Sequence, residues 1–281
     1  MRSDWIRVTR QQPCPACKKN DWCTRSADGR VAICMRVRSD KPTKNGGYIH
    51  RLGDGWSPPP RYIRQRPRAK VQRDWPSLAA KCHAAMTDDG WRYLGDELGL
   101  GTEPLKAMQV GWDGSQSCHT FPMRNDAGDA VGIRTRHQDG KRSVSGSDGH
   151  GLFFVPSMLE SQYLIVCEGP TDTAAIIDAG FKSVVGKPSC KLGDGYVVGI
   201  VRKLKPRGVL LIPDRDPPGL EGFSILANEI LRVMPFESLD SLVPPTPLND
   251  VRTWLQKNRD HLGGRIAAKI EDIKQRTEAI G

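Results

Sequence analysis

Tyr163-Leu-Ile-Val-Cys-Glu168-Gly-Pro-Thr-Asp172 is the stretch that decides the fold. Its first half is apolar without a break, as a short strand buried on both faces should be. An acid ends the run, Gly169 permits a sharp turn, and Thr171–Ala179 then reads as a helix with Asp172 at its start. The same pattern returns at Val209-Leu-Leu-Ile-Pro213, which runs into Asp214-Arg-Asp216. Between and after the two runs, Ser183–Gly186 reads as a strand. Val197–Leu204, Leu220–Met234 and Asp250–Lys257 read as helices. Strands alternating with helices predict βα units and a mostly parallel sheet flanked by helices.

Both acidic motifs follow strand ends, and in open α/β sheets the functional crevice lies outside those carboxyl ends. Asp214 and Asp216 are two residues apart, so on extended chain they point the same way. Glu168, Asp172, Asp214 and Asp216 gathered at one edge would repel each other unless cations neutralised them. Hard oxygen donors suit Mg2+ or Mn2+, which also bring phosphate substrates. A lone aspartate after a strand is ordinarily a helix N-cap, and Asp172 alone would fit that role. The whole set does not.

Upstream of this region, residues 76 to about 101 have a helical pattern. Met108–Trp112, His119–Arg124 and Ala130–Arg136 are short β-like runs, the last two joined by a turn at Asn125–Asp129. The chain ends in an amphipathic helix over Arg265–Ile280.

The N-terminal quarter has a different texture. The chain has 281 residues and a formal charge of +10, and the excess sits at one end. Residues 1–75 hold 18 Lys/Arg against 6 Asp/Glu, whereas residues 76–281 hold 24 against 26. A basic module joined to a near-neutral one predicts a polyanion partner, most often nucleic acid. Residues 57–73 carry four prolines and six Lys/Arg with no acid, the composition of an extended, self-repelling linker. Before it, Cys14-Pro-Ala-Cys17 is a CxxC knuckle, with Cys23 and Cys34 on the two arms of a hairpin around Ser26-Ala-Asp-Gly29. With the turn there, Cys23 faces Ala32 and Cys34 lies one diagonal step away. Two thiolates from the knuckle and two from the hairpin close a tetrahedral zinc site, and the metal would supply folding energy that so small a core lacks. His50 is the alternative to Cys23 as fourth ligand. Trp22 and Arg25 flank the cluster. They either stack on bases and pair with phosphates or, for Trp22, pack over the knuckle. Cys82, Cys118, Cys167 and Cys190 are scattered and read as small buried apolar residues.

Glu168-Gly-Pro-Thr-Asp172 and Asp214-Arg-Asp216, each after an apolar strand, resemble the EGxxD and DxD motifs of Toprim domains. The order of zinc module, linker, basic α/β segment and Toprim resembles bacterial and phage-type DNA primases. His119–Arg136 and Gly140–Gly146 are similar to the segment before Toprim in that family, and Asp250-Val-Arg-Thr-Trp254-Leu255 to its late Asp-x-x-x-Trp-Leu motif. Two departures are the zinc spacing and Asn249, which stands where a lysine commonly precedes the late aspartate. The resemblance implies template-directed synthesis of short RNA primers by metal-dependent nucleotidyl transfer. Asp172, Asp214 and Asp216 would hold Mg2+ or Mn2+, with Asp250 a further candidate. Glu168 would be either another ligand or a general acid/base. Arg124, Arg134, Arg136, Lys141 and Arg142 fall in the segment that contacts template and nucleotide phosphates in similar primases, and Lys187 is a candidate for the same task. Single-stranded DNA, NTPs and a separate replicative helicase are the implied partners. The expected organisation is a zinc module over 1–55, a linker over 56–75, a basic part of the catalytic core over 76–160, Toprim over 161–262 and a C-terminal helix over 263–281. A Toprim nuclease shares the acidic site, and a non-catalytic zinc-containing nucleic-acid-binding protein is a third reading.

No run of about 18 apolar residues exists, which speaks against a membrane protein. Met1–Arg10 lacks an apolar h-region, so a cytoplasmic location in a bacterial or phage-infected cell is expected.

Overall fold

The computed structural model describes residues 5–43, 46–52 and 73–279. Most of the expected linker lies outside the described residues. The chain divides into two compact units, 1–68 and 69–281.

In the first unit four strands pair antiparallel in chain order: β1 (Trp5–Arg7), β2 (Thr24–Ser26), β3 (Val31–Cys34) and β4 (Tyr48–Arg51). The buried apolar group here is Val8, Cys14, Cys23 and Cys34, so cysteines make up most of it. The β2–β3 hairpin differs in register from the sequence expectation. Thr24 pairs with Ile33 and Arg25 with Ala32, which sets Cys23 across from Cys34. The reason is local: the Ser26 hydroxyl bonds the Asp28 carboxylate and both backbone groups of Val31, so residues 27–30 form the connection. Gly29 takes the left-handed conformation this connection needs, at φ 71°.

The second unit begins with α1 (Trp75–Ala84), capped by Asp74. The helical stretch expected as far as residue 101 is broken. Thr87 caps a second helix, α2 (Asp88–Leu98), by accepting the Gly90 N–H, and Gly99 ends it at φ 65°. After α3 (Thr102–Ala107), Gln109 has φ 55°, so the strand expected from Met108 starts only at Gly111. An antiparallel sheet follows in chain order: β5 (Gly111–Asp113), β6 (Cys118–Arg124), β7 (Ala130–His137) and β8 (Gly140–Ser143). The Asn125 side chain makes the β6–β7 turn by accepting the N–H groups of Ala127 and Asp129.

The remaining chain alternates β9 (Tyr163–Glu168), α4 (Gly169–Asp178), β10 (Val184–Lys187), α5 (Asp194–Leu204), β11 (Gly208–Ile212), α6 (Pro217–Ile230) and β12 (Leu239–Ser241), then α7 (Val251–Lys257) and α8 (Arg259–Glu278). The sheet order is β10-β9-β11-β12, and every pairing is parallel. The period of two divides each central strand between two cores. Ile165, Cys167, Leu210 and Ile212 join Ala174, Trp254, Leu262 and Ile273 on one face. Leu164, Val166, Val209 and Leu211 join Val197, Val201, Phe223 and Leu226 on the other. Gly111 and Gly208 permit close packing; a Cβ on Gly208 would stand 2.4 Å from Ile273 of α8.

Residues 151–154 tie the two sheets of this unit together. Arg124 and Leu152 exchange both backbone hydrogen bonds, and Phe153 and Gly186 do the same. No helix among the described residues is long and apolar enough to cross a membrane.

Candidate functional site

The four sulfur atoms of Cys14, Cys17, Cys23 and Cys34 lie within 4.8 Å of one another. Among the described residues they are the one group of three or more potential ligands gathered so tightly. The knuckle is shaped by Lys18, whose N–H bonds the Cys14 carbonyl at 2.8 Å in a left-handed turn at φ 60°. Backbone N–H groups then point at the hairpin sulfurs: Met35 at Cys23, and Arg36 and Val37 at Cys34. Donors of this kind support thiolates that bind a metal. Burial, together with neighbouring thiols, pushes Cys23 up to about 12. At Cys17 burial acts upward too, but the Lys19 N–H and the other thiols win and bring it down to about 7. The set cannot ionise fully without a cation, and a soft tetrahedral ion fits it.

His50 is not in the cluster; its Nε2 meets the Val37 carbonyl at 3.0 Å. Cys23 therefore completes the set. Trp22 is 76 % exposed at φ 63°, so it does not pack over the knuckle. Arg25 is buried and its guanidinium bonds the Gln12 side chain, so it is a structural cation.

In the second unit, β9 and β11 are adjacent and in register, Cys167 opposite Ile212. Their acidic continuations therefore emerge side by side. Glu168 ends β9, and Gly169 turns the chain at φ 82°. Asp172 lies in the first turn of α4, buried, and its Oδ1 accepts the Arg252 N–H at 2.9 Å. That N–H belongs to the first turn of α7, which Asp250 caps by accepting the Thr253 N–H. A carboxylate facing unsatisfied helix N–H groups is well placed electrostatically. Asp216 caps α6 through the Gly219 N–H at 2.7 Å. Arg215 holds the incoming loop: its N–H bonds the Asn249 carbonyl, and its Nε the Pro244 carbonyl.

The carboxylates feel one another. Burial first, then the charges of Glu168, Asp250 and Asp216, push Asp214 up to about 7. Burial, Asp250 and Asp214 raise Asp172. Burial raises Glu168, and so does Asp216, against the Cys190 N–H, Lys187 and Lys141. So the structure brings Glu168, Asp172, Asp214, Asp216 and Asp250 into one electrostatic neighbourhood at the strand ends. Among the described residues the carboxylates are not gathered as tightly as the sulfurs, and each aspartate but Asp214 accepts an N–H at a helix N-terminus. Burial and the neighbouring carboxylates together oppose a charge on Asp214. A hard divalent cation would favour that charge, so the donor set fits Mg2+ or Mn2+.

Most of the basic residues expected near the site have partners. Arg124 bonds the Gly128 carbonyl and Gln109, Arg136 pairs with Glu97, and Arg142 with Asp139. Arg134 donates to the Pro188 carbonyl at 3.2 Å. Lys141 is exposed, and its charge acts on both Glu168 and Asp214. Lys187 is fully buried. Its ammonium pairs with Asp194, donates to the Cys190 carbonyl at 3.0 Å and lies 4.9 Å from the Phe223 ring centre. It is therefore not offered to a phosphate in solvent. Sequence reasoning also missed Arg215, whose position inside the acidic motif drew attention only to its neighbours.

With the geometry described, the fold can be placed. It is the fold of primase catalytic cores. A DnaG primase catalytic domain bound to single-stranded DNA is 17 % identical, with a TM-score of 0.56 over 69 % of this chain and 77 % of that one. The RNA polymerase domain of Mycobacterium tuberculosis primase DnaG is 16 % identical, TM-score 0.52, over 69 % and 81 %. The Aquifex aeolicus primase, comprising zinc-binding and RNA polymerase domains, is 12 % identical, TM-score 0.50, over 73 % and 59 %. No family model matches the chain, and no curated protein matches it.

Proposed function

We propose that the protein is a DNA primase that makes short RNA primers on single-stranded DNA by metal-dependent nucleotidyl transfer. The observation that carries this reading is the convergence of Glu168, Asp172 and Asp214, all raised by burial and by neighbouring acids, where the adjacent strands β9 and β11 end. The primase fold around them supports it. The reaction joins a ribonucleotide 3′-oxygen to the α-phosphorus of an incoming NTP, and pyrophosphate leaves. Mg2+ or Mn2+, when bound, neutralises phosphate charge and makes the attacking hydroxyl more acidic.

Asp172, Asp214 and Asp216 would hold the ions, with Asp250 beside them. Asp172 and Asp250 are fixed in direction by the α7 N–H groups they accept, so they need little rearrangement to act as ligands. Glu168 takes the hydroxyl proton in this reading, supported by the burial that raises its basicity. Lys141, the exposed cation that acts on the acidic set, binds nucleotide phosphate. Zn2+ would occupy the Cys14, Cys17, Cys23 and Cys34 cluster, and the exposed Trp22 would stack on a template base. A separate helicase would deliver the template strand.

The test is synthesis of labelled RNA from NTPs and Mg2+ or Mn2+ on a library of single-stranded DNA templates. Short RNA products that require template support the reading. Shortened input DNA instead assigns the site to a nuclease, and binding without either product assigns a non-catalytic role.

A further inference from the structure

Two cations expected at phosphates, Lys187 and Arg134, are both spent on one short loop. Residues 188–193 leave the carboxyl end of β10 and lead into α5. Lys187 stands in register beside Glu168. From there its buried ammonium reaches the Cys190 carbonyl within the loop and Asp194 at the start of α5, where the loop ends. Arg134 of β7 holds the Pro188 carbonyl. Gly222 of α6 lets the loop pack closely: a Cβ there would stand 2.3 Å from the Cys190 oxygen. Ser189 and Leu192 pair across the loop. The Cys190 N–H in turn faces the Glu168 carboxylate. At the tip, Lys191 is exposed and has no ion-pair partner among the described residues.

We infer that Lys187 is a positioning residue: its enclosed ammonium clamps the 188–193 loop against the acidic strand ends, and the loop thereby presents Lys191 to the nucleotide triphosphate. The Lys191 half rests on the primase reading; the clamp does not. A buried cation with a carboxylate and a carbonyl as partners fixes a geometry, because breaking either contact leaves charge unpaired in a low-dielectric setting. A free lysine at the tip of a loop so held loses less freedom on meeting phosphate than one on a mobile segment.

Limited trypsin digestion tests the clamp, since Lys191–Leu192 is a trypsin site and Lys187–Pro188 is not. In Lys187→Met, and in Lys187→Met/Asp194→Asn, which removes both charges, cleavage after Lys191 should be about tenfold faster than in the parent chain, with other sites in the second unit unchanged. An unchanged rate in the double variant overturns the clamp. If both variants lose their melting transition, hydrogen exchange on the parent chain decides. Residues 189–193 exchanging as slowly as β10 support the clamp, and exchange at the rate of an unstructured peptide overturns it. For the tip, Lys191→Ala should weaken ATP binding in Mg2+ about tenfold and Lys191→Arg should restore most of it. Equal affinity in Lys191→Ala overturns that role. A parent chain that binds no ATP removes the primase reading and the Lys191 role together, while digestion still judges Lys187.

Discussion

The cysteine cluster and the acidic strand ends solve one problem in opposite orders. Each gathers like-charged ligands that repel. In the first unit the ligands are the core: Cys14, Cys23 and Cys34 are buried with little besides Val8. In the second unit the ligands sit on a scaffold already packed on two faces by strands, α7 and α8 on one side and α5 and α6 on the other. A site whose ligands are its core cannot fold before its ion arrives, whereas a site mounted on a packed sheet can wait for its ion and exchange it.

The largest expected effect tests the first half of that contrast. Chelation of zinc, or Cys34→Ser, should unfold residues 5–52 while the melting temperature of the second unit stays put, read by hydrogen exchange resolved along the chain. Next, Asp214→Asn should lower primer synthesis by at least about a thousandfold with the fold retained, since the change removes a charge aimed at the reacting centre. A smaller effect follows from titration. Asp214 titrates at about 7 in the folded chain, above the 3.8 of an ordinary aspartate, so between these values the folded state binds more protons than the unfolded. Stability without metal should therefore fall as pH rises through that window, and remain at its lower level above it. Mg2+ should offset the loss at pH 8, and Asp214→Asn should raise the metal-free melting temperature there by about 2–4 °C. The smallest pair of effects sharpens the comparison. Ser26→Ala, which frees the hairpin connection, should appear as zinc affinity weakened about fivefold, because folding and metal binding are one equilibrium there. Thr87→Ala removes the α2 cap and should cost about 1 kcal/mol, seen in thermal melting with metal affinity unchanged.

What could be read in the sequence follows the same division. Tyr163–Glu168 and Gly208–Ile212 announced themselves because strands buried on both faces are apolar runs, and an acid ends or soon follows each of them. The edge strands β8 and β12 did not. Gly140–Ser143 is exposed throughout and Leu239–Ser241 is three residues long, so neither carries an alternating pattern. The break at Thr87 did carry a sign, since Thr87-Asp-Asp-Gly90 holds an N-cap residue and poor helix formers, but the apolar positions on either side read as one helix. The cysteine spacing picked out the thiols that gather, with His50 left open in place of Cys23, but the hairpin register depended on one hydroxyl, that of Ser26. Lys187 and Arg25 show the limit for charged residues. A lysine beside a phosphate and a lysine beside a half-buried aspartate look alike until the fold brings residue 194 back to residue 187.

The strip at residues 151–154 has a consequence for dissection of the chain. It hydrogen-bonds to Arg124 on one side and to Gly186 on the other, and buries Leu152 and Phe153 completely. A fragment starting at residue 161 would bare the flank of β10 and strip apolar cover from both hearts of the sheet, inviting chain-to-chain pairing along that edge. The second unit is best handled as a single piece beginning ahead of the Asp74 cap.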